Sequence, residues 1–319
     1  MNKIIIIIGI LLLGVLTAET SYFGDFRYRY EIEQQDFKDE LRDRQRIRAR
    51  FGAKFEQEKL EVGFRFATSS GKLQSAHQTL GGIENNDNTD FGLDVAYLKW
   101  DFGSGSTLTM GKSAVNWWQQ NEVILDGDFS PEGLAYSYNR GALTLNLAQY
   151  VVSETNFSGI FTDDALRMLQ LVYGGEFAGV NTLVALGNAA LTYQDSSKTG
   201  RSSNVLISQF NKGDFTLGID YHMTDSDAEN TALVAMLKTK LLGHSVGLWY
   251  YDVAENSVLS HNLTQDNFPI TNSGWSGVRF QIGFTLCDVV KTDLRYYMQT
   301  MDAEEDKINR AQVNFNVKL

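Results

Sequence analysis

The 319-residue sequence has one cysteine, two prolines and, beyond its N-terminus, no long apolar run. Cys287 cannot form an internal disulfide, so the fold has to be held together by other interactions. Pro131 and Pro269 fall in polar, turn-like stretches, which leaves long segments free to pair as strands. Because no later stretch reaches about 20 consecutive apolar residues, the mature chain cannot cross a bilayer as helices.

The N-terminus holds the one long apolar segment. Residues 1–18 contain Lys3, an uninterrupted apolar stretch over residues 4–16 and a small-residue cleavage site. This order is typical of a secretory signal peptide, and the segment is too short for a convincing membrane span. We predict a signal peptide over residues 1–18 and a single mature domain, residues 19–319. A retained N-terminal anchor is the alternative.

The charge of the chain limits its partners. A formal net charge of -11 at pH 7 argues against nucleic acid as a partner. The mean hydropathy of -0.23 fits a soluble protein and a transmembrane barrel alike, because such a barrel is apolar only on alternate residues. Composition by itself therefore does not choose between these two classes.

Polar and apolar residues alternate from one end of the mature chain to the other. In the run 44–55, the odd positions from Ile47 onward are apolar and the even positions are mostly basic, and the run 308–319 alternates in the same way. Side chains two apart on a strand share a face, so each run predicts a strand with one apolar face. No amphipathic helix of useful length is present to cover that face, which favours a closed barrel whose apolar face meets lipid.

The number of runs and the lengths of their connections support a barrel. Roughly sixteen runs are present, and bacterial single-chain barrels have even strand numbers. Tight turns alternate with longer loops, which cover about residues 69–90, 113–132, 152–165, 194–203 and 254–273. We therefore predict an all-β fold, a closed antiparallel transmembrane β-barrel of about 16 strands with short periplasmic turns and long external loops.

A row of basic residues is predicted to line the lumen. Its members are Arg46, Arg48 and Arg50 at a pore constriction and, along the rest of the pore lining, Arg27, Arg29, Arg44, Lys54 and Arg65. Charge on the lipid face would cost about 2 to 4 kcal/mol per arginine near the midplane, which directs this row inward. A solvated wall neutralised by Glu31 and Glu61 is the alternative interpretation.

The opposite charge lies in the third external loop, residues 113–132. This loop carries Asp126, Asp128 and Glu132, which we predict to complete the constriction. If the loop folds into the barrel, its carboxylates face the arginine row and set a field across a narrow point, which is how charged pores select. A polar loop is more often simply exposed, so both alternatives stay open from these residues.

Other chemistries have little support. The four histidines show no metal-ligand spacing, and we expect neither a metal nor a cofactor. Asp220 and His222 share one face of a predicted strand and could act as the acid and base of an outer-membrane hydrolase. No Gly-x-Ser-x-Gly motif supplies the nucleophile for such a site, so we expect no enzyme activity.

Ordered sequence blocks between about residues 60 and 140 resemble a known family. The blocks are Phe64-Arg65-Phe66-Ala67-Thr68, Gln78-Thr79-Leu80-Gly81, Ala96-Tyr97-Leu98-Lys99-Trp100, Leu108-Thr109-Met110-Gly111-Lys112, Asp126-Gly127-Asp128 and Pro131-Glu132-Gly133-Leu134-Ala135-Tyr136. In this order they look like the recurring blocks of the putative porin family of Gram-negative outer membranes, which resembles the sixteen-stranded general porins.

The resemblance implies an outer-membrane porin with a water-filled channel for passive diffusion of small hydrophilic solutes. It also implies a constricting third external loop and, by analogy with general porins, a homotrimer. The expected partners are the lipid bilayer, lipopolysaccharide and the solutes. Three alternatives stay open here: a substrate-selective channel, a non-conducting adhesin or receptor barrel, and an outer-membrane hydrolase.

Overall fold

The computed structural model describes residues 19–69, 75–81, 90–153, 163–195, 197–260, 263–264, 273–303 and 305–319. The predicted signal peptide, residues 1–18, lies outside the described residues. Within the described ranges, no helix has the length and apolar character needed to span a membrane.

Antiparallel strands build the described structure. They are β1 (Glu19–Gln35), β2 (Arg42–Gln57), β3 (Leu60–Thr68), β4 (Gln78–Leu80), β5 (Phe91–Gly103), β6 (Ser106–Lys112), β7 (Glu132–Arg140), β8 (Leu143–Ser153), β9 (Asp164–Phe177), β10 (Val180–Thr192), β11 (Arg201–Lys212), β12 (Phe215–Thr224), β13 (Thr231–Leu241), β14 (His244–Val253), β15 (Trp275–Leu286), β16 (Val290–Met301) and β17 (Lys307–Lys318). The first strand pairs with β2 on one side and with β17 on the other, which closes the sheet. The predicted closed barrel of sixteen strands is confirmed, with β4 as one extra short strand.

The extra strand β4 lies inside the predicted loop 69–90. It pairs with residues 45–47 of β2, whereas β3 pairs with residues 50–57 of the same strand. The strand β4 therefore continues the sheet along the part of β2 that β3 does not reach. Three residues are too few to show alternation, so the sequence pattern did not predict this strand.

The two faces of the barrel have the predicted phase. On β2, Phe51 is 49% exposed on the outer face and Arg48 is 7% exposed on the inner face. On β17, Val313 points outward and the buried Asn314 points inward, where its Oδ1 accepts a hydrogen bond of 2.6 Å from Arg29 Nε. These inward side chains are therefore enclosed by polar neighbours and are not freely hydrated.

The inner wall consists of two unlike parts. Strands β15, β16, β17, β1 and β2 form a charged wall, which carries most of the inward arginines. Strands β9 to β14 form an apolar wall, whose buried inward side chains include Leu166, Leu191, Ile207, Val234 and Tyr251. Buried residues of the loops pack against this apolar wall. These inward faces are apolar because loop residues cover them and keep them from water.

Cysteine labelling will report the phase of β2. In a Cys287→Ser background, we expect Lys54→Cys to react with a membrane-impermeant thiol reagent, because Lys54 points inward and is 37% exposed. We expect Phe51→Cys to be protected by lipid in reconstituted protein. Leu242→Cys, in an exposed turn, is the positive control. Strong labelling at position 51 with none at position 54 would reverse the assignment of the faces.

Candidate functional site

The loop between β6 and β7, residues 113–131 and hereafter L3, runs inside the barrel. The backbone N–H of Trp118 donates to Gln170 Oε1 of β9 at 2.8 Å, and Gln170 Nε2 donates back to the Trp118 carbonyl at 2.7 Å. The ring of Trp117 lies against Gly187 of β10, where an added Cβ would come within 2.3 Å of the ring. A glycine at this position therefore leaves room for L3 against the wall.

Asp220 of β12 is a second anchor for L3. The side-chain amides of Gln120 and Asn121 both donate to its buried carboxylate, and Gln120 Nε2 also donates to the Ser208 carbonyl at 2.9 Å. Neither ring nitrogen of the buried His222 has a hydrogen-bond partner in the described part of the chain. Asp220 and His222 therefore do not form the acid-base pair considered from the sequence. Asp220 holds the loop instead.

The next part of L3 packs on the apolar wall. Val123, Ile124, Leu125 and Phe129 are buried in two clusters with inward residues of β8 to β14. Burial of one such side chain stabilises a fold by about 1.5 to 3 kcal/mol. Hydrogen bonds and apolar packing thus hold L3 across the barrel. The alternative of a simply exposed loop is excluded.

The acidic turn of L3 meets the arginine row of β2. Asp128 Oδ1 accepts hydrogen bonds from Arg48 Nη1 at 2.9 Å and from Arg50 Nη1 at 2.8 Å. Asp25 of β1 pairs with the same two guanidinium groups at 2.8 and 2.7 Å. These four side chains form an ion-pair cluster, hereafter the Asp128 cluster.

The other residues predicted at the constriction have different positions. Asp126 accepts a hydrogen bond of 2.6 Å from the backbone N–H of Asp128, so it shapes the turn that presents Asp128. Arg46 is buried on the same face of β2, opposite Thr79 of β4. Glu132 does not face the arginines: it is the exposed first residue of β7, and the pleat of that strand gives it the outward parity of Leu134.

The residues predicted to line the pore all have polar partners. The pairs are Arg27 with Asn316 at 2.6 Å, Arg29 with Asn314 at 2.6 Å, Arg44 with Glu31, Lys54 with Glu61 at 3.6 Å and Arg65 with Asp94 at 2.5 Å. Arg44 and Lys54 thus pair with Glu31 and Glu61, the two carboxylates named in the alternative interpretation. Arg27 and Arg29 instead donate these hydrogen bonds to neutral amides.

A cavity of about 460 Å³ separates L3 from the charged wall. Six arginines line it, namely Arg27, Arg29, Arg48, Arg50, Arg279 and Arg295. The sequence interpretation missed Arg279 of β15 and Arg295 of β16. Both occupy the alternate positions that carry polar side chains in their strands. The same alternation that selected the arginines of β2 would therefore have identified these two on β15 and β16.

Two loop residues beside this cavity have shifted pKa values. Burial by itself would raise the pKa of Asp128. Nearby arginines, Arg48 first and then Arg50, together lower it by more than burial raises it, so the pKa lies below its usual 3.8. Burial lowers the pKa of His77 well below 6.5, and nearby arginines, Arg29 first, lower it again. At neutral pH Asp128 is therefore an anion and His77 is neutral.

Comparisons with known proteins agree with the fold. Residues 29–164 match the model of a family described as "Putative porin". No curated protein sequence matches the chain. Among solved structures, OprB of Pseudomonas putida superposes with a TM-score of 0.69 at 12% identity, over 98% of this chain and 96% of that one.

Two further porin structures are similar. OmpF of Salmonella typhi, solved with daunomycin, has a TM-score of 0.66 at 10% identity, over 95% of this chain and 98% of its own. A porin variant from Rhodopseudomonas blastica has a TM-score of 0.58 at 11% identity, over 93% and 100%. Such identities show a shared fold, and residues 29–164 contain the β2 row and all of L3. Residues 29–164 are thus similar to a family described as putative porins, and the chain shares the fold of solved porins.

Proposed function

We propose that this protein passes small hydrophilic solutes by passive diffusion through a water-filled lumen that L3 constricts. The observation that carries the proposal is the contact of Asp128 with Arg48 and Arg50, which fixes an inward loop against a charged wall. The arrangement leaves a polar cavity of about 460 Å³ beside the contact. Conductance in planar bilayers tests it, because a non-conducting adhesin or receptor barrel gives no current.

The constriction consists of the Asp128 cluster and the part of L3 that faces the charged wall. Asp126 supports it by holding the turn, and Arg46 extends the cationic row behind it. Because Asp128 contacts the arginines directly, we assign the solute path to the adjoining cavity, which Glu122 and Arg295 also line. Charges this close to a path select among ions.

Charge changes in the Asp128 cluster are expected to shift ion selectivity in opposite directions. Asp128→Asn should move the channel toward anions, because Arg48 and Arg50 lose a negative partner. The double variant Arg48→Gln/Arg50→Gln should move it toward cations, because Asp25 and Asp128 remain. Reversal potentials across a salt gradient measure both shifts. The shifts should fade as the screening length falls from about 10 Å at 0.1 M to about 3 Å at 1 M.

Glu132→Gln is the matched control, since it removes one negative charge outside the cluster and should leave selectivity unchanged. Acidification supplies a second control. The pKa of Asp128 lies below 3.8, so its charge persists as pH falls from about 7 to about 5, and its effect on selectivity should be constant over that range. Unchanged reversal potentials in both cluster variants would contradict the proposed constriction.

The proposal includes export and assembly. The family and the fold point to the outer membrane. Residues 1–18 direct export as a signal peptide and are then removed. In the outer membrane, the lipid bilayer and lipopolysaccharide surround the barrel, and the assembly is a homotrimer as in the general porins. We expect N-terminal sequencing of the outer-membrane protein to begin near Glu19, and gel migration to be heat-modifiable. An intact N-terminus in a soluble fraction would contradict this assignment.

A further inference from the structure

The side chains that line the cavity beside L3 carry a net charge opposite in sign to that of the whole chain. The chain has a net charge of -11. Among the described residues, the cavity between L3 and the charged wall is lined by six arginines against three carboxylates, Glu122, Asp126 and Asp128. A surplus of fixed cations in a narrow space concentrates anions, because low-dielectric walls focus the field.

Strand register brings like charges together beside this cavity. Arg27 lies directly opposite Arg48, and Arg29 lies directly opposite Arg46, on β1 and β2. Like charges in directly opposite positions destabilise a sheet. The positive field also reaches His77, whose pKa is lowered first by burial and then by these arginines. The two strands thus place arginine side chains close together, although their mutual repulsion disfavours this pairing of the strands.

Arg27 and Arg279, two of the six cavity arginines, have uncharged partners. Arg27 Nε donates to Asn316 Oδ1 at 2.6 Å, and the guanidinium carbon of Arg279 lies 3.7 Å from the centroid of the Trp249 ring. Within the described ranges, neither forms an ion pair with a carboxylate. A guanidinium group carries five N–H donors in a fork that fits carboxylate or phosphate oxygens, so each keeps donors for an anion.

We infer that the lumen prefers small oxyanions, and that Arg27 and Arg279 bind the phosphate or carboxylate group of a passing solute. This inference rests on the proposed porin function and adds the class of solute. Charge-assisted, forked hydrogen bonds favour an oxyanion over chloride. The arginines of the Asp128 cluster contribute less, because Asp25 and Asp128 neutralise them.

Planar-bilayer recordings of the full protein test the inference. Under a potassium chloride gradient, the reversal potential should show a preference for anions, and added inorganic phosphate should reduce the chloride current. In Arg27→Gln/Arg279→Gln, the anion-to-cation permeability ratio should fall by about twofold or more and the effect of phosphate should be lost. Lys59→Gln/Lys240→Gln removes two exposed cations at strand ends and should change neither quantity.

The outcomes separate the inference from the function on which it rests. A wild-type protein without current contradicts the proposed porin function. A conducting wild type without anion preference, or an unchanged glutamine variant, overturns only the inference. If the glutamine variant does not fold, Arg27→Lys/Arg279→Lys keeps the charge and removes the fork. A weaker phosphate effect with retained anion preference then supports the inference, and an unchanged phosphate effect overturns it.

Discussion

Replacing residues 114–130 by a four-residue glycine-serine turn is expected to raise single-channel conductance about twofold or more. Lys112 of β6 and Glu132 of β7 are register partners, so a short turn can join the two strands without disturbing the barrel. The expected rise follows from the path of L3, which crosses the lumen and bounds the cavity on one side. Planar-bilayer recordings measure the conductance.

Two point variants test the same path of L3 without shortening it. In Gly187→Ala, the new Cβ would lie 2.3 Å from the Trp117 ring, so L3 has to move away from β10 and conductance should change. In Gly283→Ala, the nearest neighbour of the new Cβ is at 3.6 Å, which is ordinary contact, and conductance should stay the same. Wild-type conductance in the shortened variant would show that L3 does not limit the pore.

Arg310→Leu is expected to lower the free energy of unfolding by about 3 kcal/mol, the lower end of the cost of breaking a buried ion pair. Arg310 and Glu33 are each 1% exposed, and Arg310 Nε donates to Glu33 Oε2 at 2.7 Å. The variant leaves the carboxylate of Glu33 buried with weaker partners. Arg42 still lies 3.7 Å from it, which is why we expect the lower end of the range.

Urea unfolding of the reconstituted protein, followed by gel migration, measures this loss. Arg42→Leu is the matched control, because Arg42 contacts the same carboxylate but is 48% exposed, and exposed pairs contribute about 1 kcal/mol or less. The double variant Glu33→Gln/Arg310→Leu should recover part of the stability, since it removes the uncompensated charge. If Arg310→Leu and Arg42→Leu lower the free energy of unfolding equally, then burial does not determine how much the pair of Arg310 and Glu33 contributes to stability.

The sequence by itself determined the barrel and the direction of its side chains. Alternation with a period of two is a local property, so it could be detected one strand at a time, and it gave the correct faces for Arg48 and Phe51. The same alternation indicated about sixteen strands, while the three residues of β4 were too few to show it. The outward parity of Glu132 could not be predicted, because it depends on where L3 ends and β7 begins.

Only the tertiary structure decided what lies inside the barrel. The contact between Asp128 and Arg48 joins residues 80 positions apart, and the one between Arg310 and Glu33 joins residues 277 positions apart. Such pairs form because the closed sheet brings distant strands together and because apolar side chains of L3 have an apolar wall to cover. Neither effect can be predicted from the alternation of the sequence, since both depend on closure of the barrel and on packing within it.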